Sequence, residues 1–250
     1  MQAHPRQRAN ALLEIHQHHQ CRAMESELAS ATMVAYIVHR SKAVEDFASF
    51  ASSQSGGFIM SNHRIWGGSI RKLWPTETDK FRDHLLRLDK ECRRMRFAHG
   101  VSDAFITDYA SRMHDMGSIV YGFLEGGEVR AAAELRKLGV TWGQEAEAAF
   151  SVERPWQDNG IGSTLMGRVI RAARNRGVQR LYMGCLAENA KMQAIARKHE
   201  ADLRFEYGDV VGEIVPQSPD YFSIVAEEVD DRMGYMLAVL DLQSQVMRAA

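Results

Sequence analysis

The sequence predicts an α/β (α+β) fold: a mixed sheet with helices on both faces and further helices at the two ends. Three observations carry this. A glycine-bearing turn, Glu125-Gly126-Gly127-Glu128, joins two apolar runs, Ser118 to Leu124 and Val129 to Leu138, as a hairpin would. A third apolar run, Ala146 to Val152, passes through Gln157-Asp158-Asn159-Gly160-Ile161-Gly162 into a helical pattern. Beyond it, strand-like and helix-like segments alternate as far as Val215. A hairpin followed by strand, helix and strand implies a mixed sheet covered on both faces.

Composition narrows the function. The chain has 250 residues, is 45% hydrophobic and 25% charged, and carries a formal net charge of -1. Those are ordinary values for a globular protein, and they leave no global field to attract nucleic acid or an anionic membrane. No run reaches the roughly 18 apolar residues of a membrane span. The N-terminus, MQAHPRQRANALLEIHQHHQ, lacks a signal-peptide core, so the expected location is the cytosol. Cys21, Cys92 and Cys185 are too widely spaced for a disulfide framework or a zinc cluster, and no metal is expected.

The elements follow in order. Residues 1–20 are polar, and His16, His18 and His19 read as a solvated terminus rather than a metal site. Glu25 to Phe50 is helical in pattern, with Met33, Val34, Ile37 and Val38 on one apolar stripe. Ala51 to Asn62 reads as a linker. Arg64 to Leu73 reads as a strand, after which Thr76 is placed to cap a helix carrying Phe81, Leu85, Leu86 and Leu88. Ser102 to Met113 is a second short helix, with Phe105, Ile106 and Tyr109 on one face. The hairpin and third strand come next. The helix after the glycine loop stops at Asn175-Arg176-Gly177. Leu181 to Leu186 is a strand, Glu188 to His199 a helix, and Leu203 to Tyr207 with Val210 to Val215 a final strand pair. Ser223 to Met247 returns to helical period, with Met233, Met236, Leu237 and Leu240 on one stripe. The implied organisation is an N-terminal helical extension over 1–62, a catalytic-type domain over 63–216 and a C-terminal helix over 217–250. The apolar stripes of the terminal helices must bury against the domain or form a homodimer interface.

The glycine loop carries the chemistry. A strand, a loop and a helix start gather unpaired backbone N–H groups, and the helix dipole adds roughly half a positive charge. That is a pocket for pyrophosphate, and Gly160 and Gly162 let the backbone approach the anion. Here the sequence resembles the GNAT acetyltransferase superfamily, whose Gln/Arg-x-x-Gly-x-Gly/Ala motif is matched from Gln157 to Gly162. Leu186-Ala187-Glu188-Asn189-Ala190-Lys191-Met192 and Asp89-Lys90-Glu91-Cys92-Arg93-Arg94-Met95-Arg96-Phe97 are similar to segments of the group that includes bacterial protein-lysine acetyltransferases. The resemblance spans roughly residues 64 to 215. It implies a mostly antiparallel sheet, acetyl-CoA as cosubstrate, and a primary amine, on a protein lysine or a small molecule, as acceptor. Where the family often has Gly-Phe, this chain has His199-Glu200-Ala201-Asp202.

The resemblance also implies roles. Glu147, ten residues before Gln157 on the strand, corresponds to a general base, and burial would raise its pKa toward the working range. Glu145, on the same face by strand alternation, is the alternate base. The backbone of residues 150 to 152, Val152 above all, is expected to pair with the pantetheine amides. Gln157, Asp158, Asn159, Gly160, Ile161, Gly162, Ser163 and Thr164 are expected to line the pyrophosphate, the last two adding hydroxyls. Asn189 corresponds to a cofactor-contacting residue, or is an ordinary polar residue at a helix start. Arg154, Arg168 and Arg171 are candidates for the ribose phosphate, or are solvated surface charges. The family often has a tyrosine as general acid on the helix after the fifth strand. The 188–199 helix has none, leaving His199 and Tyr207 as candidates by proximity.

Two other functions compete. A GNAT fold could sense acyl-CoA without catalysis. A dinucleotide-binding enzyme would need a full Gly-x-Gly-x-x-Gly, but position 165 is Leu.

Overall fold

The computed structural model describes residues 67–113 and 117–249. The expected extension over 1–62, with its 25–50 helix and His16, His18, His19 and Cys21, lies outside the described residues.

A short strand, β1 (Ser69–Lys72), is followed by a single 3-10 turn, Pro75–Glu77, and three helices: α1 (Thr78–Arg87), α2 (Lys90–Phe97) and α3 (Asp103–Ser111). The expected Thr76 cap is not formed. Pro75 opens the 3-10 turn, and the Glu77 carboxylate is drawn to the buried Arg71 at 2.6 and 2.7 Å, so the α-helix starts later, at Thr78. Ser102 does cap α3, accepting from the Phe105 N–H at 3.2 Å. α2 was not legible as a helix from periodicity, because its residues, Lys-Glu-Cys-Arg-Arg-Met-Arg-Phe, are mostly charged; Asp89 caps it through the Cys92 N–H.

The sheet then builds outward from the hairpin of β2 (Ile119–Glu125) and β3 (Glu128–Lys137), whose turn places Gly126 and Gly127 at φ 61 and 84. β4 (Glu145–Val152), β5 (Arg180–Leu186), β6 (Asp202–Glu206) and β7 (Asp209–Ile214) complete a seven-stranded sheet in the order β1-β2-β3-β4-β5-β7-β6. All neighbours are antiparallel except β4 and β5. α4 (Ile161–Asn175) makes the parallel crossover, α5 (Ala190–Lys198) follows β5, and α6 (Tyr221–Ala249) closes the described chain.

Strand alternation divides the core in two. α4 lays Leu165, Met166, Val169 and Ala173 over one face, against Tyr121, Ala133, Leu135 and Ala148. α1 and α3 lay Phe81, Leu85, Ile106 and Ala110 over the other, against Val120, Leu124 and Ala132. Burying each of the leucine, isoleucine, valine, methionine and phenylalanine side chains among them stabilises by about 1.5–3 kcal/mol. β4 therefore sends Ala146, Ala148, Phe150 and Val152 to the α4 face and Glu147, Ala149 and Ser151 to the other.

α6 is held mainly by polar contacts. Asp230 meets Arg168 and Arg171 of α4, Glu227 meets Arg176 at 2.8 Å, and Asp231 meets Lys72 at 3.4 Å. This corrects the expectation that Arg168 and Arg171 face a ribose phosphate or solvent. Of the stripe expected to pack on the domain or form a homodimer interface, Met233, Met236 and Leu240 are exposed and do not pack on the domain.

Candidate functional site

The parallel pairing of β4 and β5 is brief. It runs only from Glu145↔Arg180 to Glu147↔Tyr182, after which the strands part. The Glu153 N–H donates to the Arg130 carbonyl of the preceding strand. By the alternation of an antiparallel ladder, the peptide groups of Phe150 and Val152 then point away from β3, toward the gap. A cleft of about 630 Å³ fills that gap, lined by β4, the glycine loop, the start of α4, α5 and α2.

One end of the cleft is the N-terminus of α4. Gly160 takes φ 79 and Asp158 φ 63, which turns the loop tightly enough to aim the helix start inward. The first backbone bond into the helix is Thr164 N–H to the Gly160 carbonyl, so the N–H groups of Ile161, Gly162 and Ser163 have no partner among the described residues. A bare helix start of this kind is an anion site. Lys191 reaches across it, donating to Gln157 Oε1 at 3.0 Å and Asp158 Oδ2 at 2.7 Å.

Of the expected binding residues, Val152, Gln157, Asp158, Gly160, Gly162, Ser163 and Asn189 line the cleft. Asn159, Ile161 and Thr164 do not line it. Ile161 turns its side chain into the core at 1% exposure, and the Thr164 hydroxyl is spent on the Gly160 carbonyl. The Val152 carbonyl already accepts from Gln157 Nε2 at 3.0 Å, leaving its N–H as the group free toward the gap. Asn189 Oδ1 caps α5 through the Met192 N–H. Ser163 Oγ pairs with His199 Nε2 at 3.1 Å, which draws His199 into the back of the loop. Tyr207 is fully exposed in the β6–β7 turn. Gly162 has a second reason to be glycine: an added Cβ would stand 2.9 Å from Ile195 Cδ1, where α5 packs on α4. Arg154 lines the cleft and pairs with Asp89 at 2.8 Å.

At its other end the cleft adjoins a smaller cavity of about 60 Å³, and Met95, Arg96, Phe150, Asn189 and Met192 line both. Glu147 lies on this small cavity. Its side chain is 40% exposed, not buried as expected. Arg136 holds it, Nη2 to Oε1 at 2.8 Å. Arg136 in turn donates to Tyr109 Oη at 3.3 Å. Tyr109 donates to Glu134 at 2.6 Å and accepts from Arg96 at 2.8 Å, and Arg96 is ion-paired with Glu134. Burial, with the Glu134 charge beside it, pushes the Tyr109 hydroxyl up to about 12. Glu145, the alternate base, pairs with Arg180 at 2.8 Å and lines neither cavity.

A second polar cluster joins α1 to the end of β4. His84 of α1 is wholly buried, with Nε2 2.9 Å from Ser151 Oγ and Nδ1 3.1 Å from Glu153 Oε1. Glu153 also receives Arg87 at 3.0 Å and Arg130 at 3.4 Å. Burial disfavours its charge, but the bonds from His84 and Arg87 outweigh that and hold the carboxyl below its usual range. Burial lowers the His84 pKa, only partly opposed by Glu153. The spacing matches a Ser-His-acid triad, but an imidazole kept neutral by burial beside arginines is a weak base, so the geometry supports a polar bridge rather than a nucleophile. The sequence held no local signal for it: His84 and Ser151 are joined only by the packing of α1 on β4. Among the described residues no cluster of metal-ligating side chains occurs.

Residues 82–201 match the acetyltransferase (GNAT) family. No curated protein matches the chain. Among solved structures, the GNAT domain of S. lividans PAT aligns at 22% identity over 59% of this chain and 90% of its own, with a TM-score of 0.52, a likeness that shows the fold. A cAMP-binding acyltransferase from Mycobacterium smegmatis aligns at 24% identity over 70% of this chain and 54% of its own, with a TM-score of 0.46. RimL, a ribosomal L7/L12 alpha-N-protein acetyltransferase in complex with coenzyme A, aligns at 14% identity over 64% of this chain and 100% of its own, with a TM-score of 0.49.

Proposed function

We propose that this chain, which carries a GNAT-superfamily domain, is an acetyl-CoA-dependent N-acetyltransferase that moves an acetyl group directly to a primary amine. The observation that carries the reading is one continuous depression: a bare helix N-terminus at one end, an unpaired strand edge along it, and a reachable carboxylate at the other. Pyrophosphate suits the first, an amide-bearing arm the second, and a protonated amine the third.

In this reading the N–H groups at the start of α4 take the pyrophosphate, with Lys191 released from Asp158 to meet it. The pantetheine arm runs along Phe150 and Val152 and brings the thioester toward the small cavity. A lysine-type amine, with an ordinary pKa of about 10.4, arrives protonated. Glu147 accepts that proton, directly or through water. The amine nitrogen then attacks the acetyl carbonyl carbon, the C–S bond breaks and coenzyme A leaves as the thiolate. A thiol with an ordinary pKa of about 8.5 leaves without an obligatory side-chain acid, consistent with no tyrosine on α5. Glu147→Gln keeps the shape and removes the base. We expect kcat to fall by about 10²–10⁴-fold with acetyl-CoA affinity unchanged; undiminished transfer at neutral pH would remove Glu147 from the role.

The Arg136–Glu147 ion pair favours one other reading, a GNAT domain that senses acyl-CoA without turnover. Tight acetyl-CoA binding with no transfer across protein and small-amine acceptors would select it. We favour a protein lysine as acceptor, on the resemblance of residues 89–97 and 186–192 to protein-lysine acetyltransferases, and the cytosol as location. The exposed Met233, Met236 and Leu240 support a homodimer through α6, checked by sedimentation.

A further inference from the structure

The bridge between His84, Ser151 and Glu153 fixes which way the Ser151 hydroxyl points. Glu153 is flanked by Arg87 and Arg130, so it is an ionised carboxylate and can only accept. His84 Nδ1, 3.1 Å away, must therefore carry the hydrogen. With the ring neutral in its buried setting, Nε2 is bare and can only accept. The hydroxyl 2.9 Å away must then donate to it. This assigns the tautomer from the hydrogen-bond network. The consequence is on the other side of the oxygen. Ser151 lines the large cleft, and its hydrogen is committed inward. What it offers to the cleft is a pair of lone pairs and no donor. A free serine hydroxyl can match either polarity, whereas this one cannot.

We propose that Ser151 is a fixed hydrogen-bond acceptor in the cleft wall that selects an amide N–H of the pantetheine arm, with His84 and Glu153 as positioning residues that set its polarity. The proposal rests on the coenzyme A reading above. The site lies between Phe150 and Val152, whose peptide groups face the same gap, so an arm running along that edge passes the Ser151 oxygen. A ligand with an ether or ester oxygen at that point would set lone pair against lone pair.

The test is a cycle of two proteins and three ligands by titration calorimetry, with a third protein as a control. The ligands are acetyl-CoA and two analogues in which one or the other pantetheine amide N–H is replaced by oxygen. The proteins are the wild type and Ser151→Ala, with Ser151→Thr as the variant that keeps the hydroxyl. We expect Ser151→Ala to bind acetyl-CoA about 5–10-fold more weakly, the worth of one hydrogen bond, and Ser151→Thr to regain most of that. One of the two analogues should lose about tenfold on the wild type but bind Ser151→Ala as well as acetyl-CoA does. If both proteins discriminate equally between acetyl-CoA and each analogue, Ser151 reads no amide and the assignment is wrong, while the coenzyme A reading stands. If the wild type binds no acetyl-CoA at all, the coenzyme A reading itself fails and takes this one with it.

Discussion

A histidine with no exposed surface has to fold either charged and paired or neutral, and His84 folds neutral. The unfolded chain protonates it at its ordinary value of about 6.5. Below that pH the unfolded state binds more protons than the native one, so stability falls as pH falls, and the contribution is complete only above about pH 6.5. His199 acts in the same direction, since burial lowers its pKa too. The depressed carboxylate Glu153 loses its contribution at lower pH, outside this window. We expect the urea midpoint of the wild type to drop between pH 7.5 and 5.5. His84→Gln should start about 1–3 kcal/mol less stable and show a shallower drop, the residue of which belongs to His199. Equal slopes in the two proteins would mean that His84 is not held neutral. At this scale the sequence was half legible. The run from Gln157 to Thr164 is local, so its place at a helix start could be read, but which of its side chains face inward could not: Ile161 fills the core and Thr164 bonds backward. Ser151 and His84 gave no sign, because a polar residue in an apolar strand acquires meaning only from what packs on it.

The elements that matter most are those whose ends are shaped by single backbone conformations. Gly160 enters α4 at φ 79, where an L-residue costs roughly 1–2 kcal/mol. Gly160→Ala should therefore lower stability by about that amount. Because the strain is relieved by turning the loop, the N–H groups of 161–163 would lose their common aim. Acetyl-CoA affinity should fall several-fold while the rest of the fold, read by circular dichroism, stays intact. Unchanged affinity in a stable Gly160→Ala protein would mean that the helix start does not hold the anion. The elements themselves were legible where pattern and turn chemistry agreed. The β2–β3 hairpin was, since its two turn glycines take the positive φ that the sequence suggested. α2 was visible only through resemblance, because its charged residues satisfy their bonds by caps and ion pairs rather than by an apolar stripe: Arg93 reaches the Leu86 and Leu88 carbonyls, and Arg94 pairs with Glu91 and Glu188.

At the scale of the whole described domain, α6 asks how a helix of 29 residues stays docked while much of its apolar surface remains outside. Shape contributes: Gly234 lets the helix lie on Arg71, where a Cβ would stand 3.0 Å from the arginine's own, and Tyr235 meets Trp74 edge-on at 5.8 Å. The stronger constraint is charge. Arg168 and Arg171 are neighbours on α4, both substantially buried, and burial lowers the pKa of each, that of Arg168 to about 10. Two such cations side by side are tolerated only with a carboxylate between them, and Asp230 stands there. Removing that carboxylate leaves both guanidinium groups desolvated and mutually repelling. Asp230→Ala should thus cost about 3–5 kcal/mol, the range for breaking a buried pair from one side. Replacing the cations as well, in Arg168→Met/Arg171→Met/Asp230→Ala, should recover much of the loss, because the desolvation disappears with the charges. Chemical denaturation of the single and triple variants measures both. A single variant within about 0.5 kcal/mol of the wild type would place it in the range of ordinary surface substitutions, and would mean that α6 is held by packing rather than by charge. The cleft is built from β4, the glycine loop, the start of α4, α5 and α2, and Arg168, Arg171 and Asp230 do not line it, so acetyl-CoA binding by the folded triple variant should match that of the wild type.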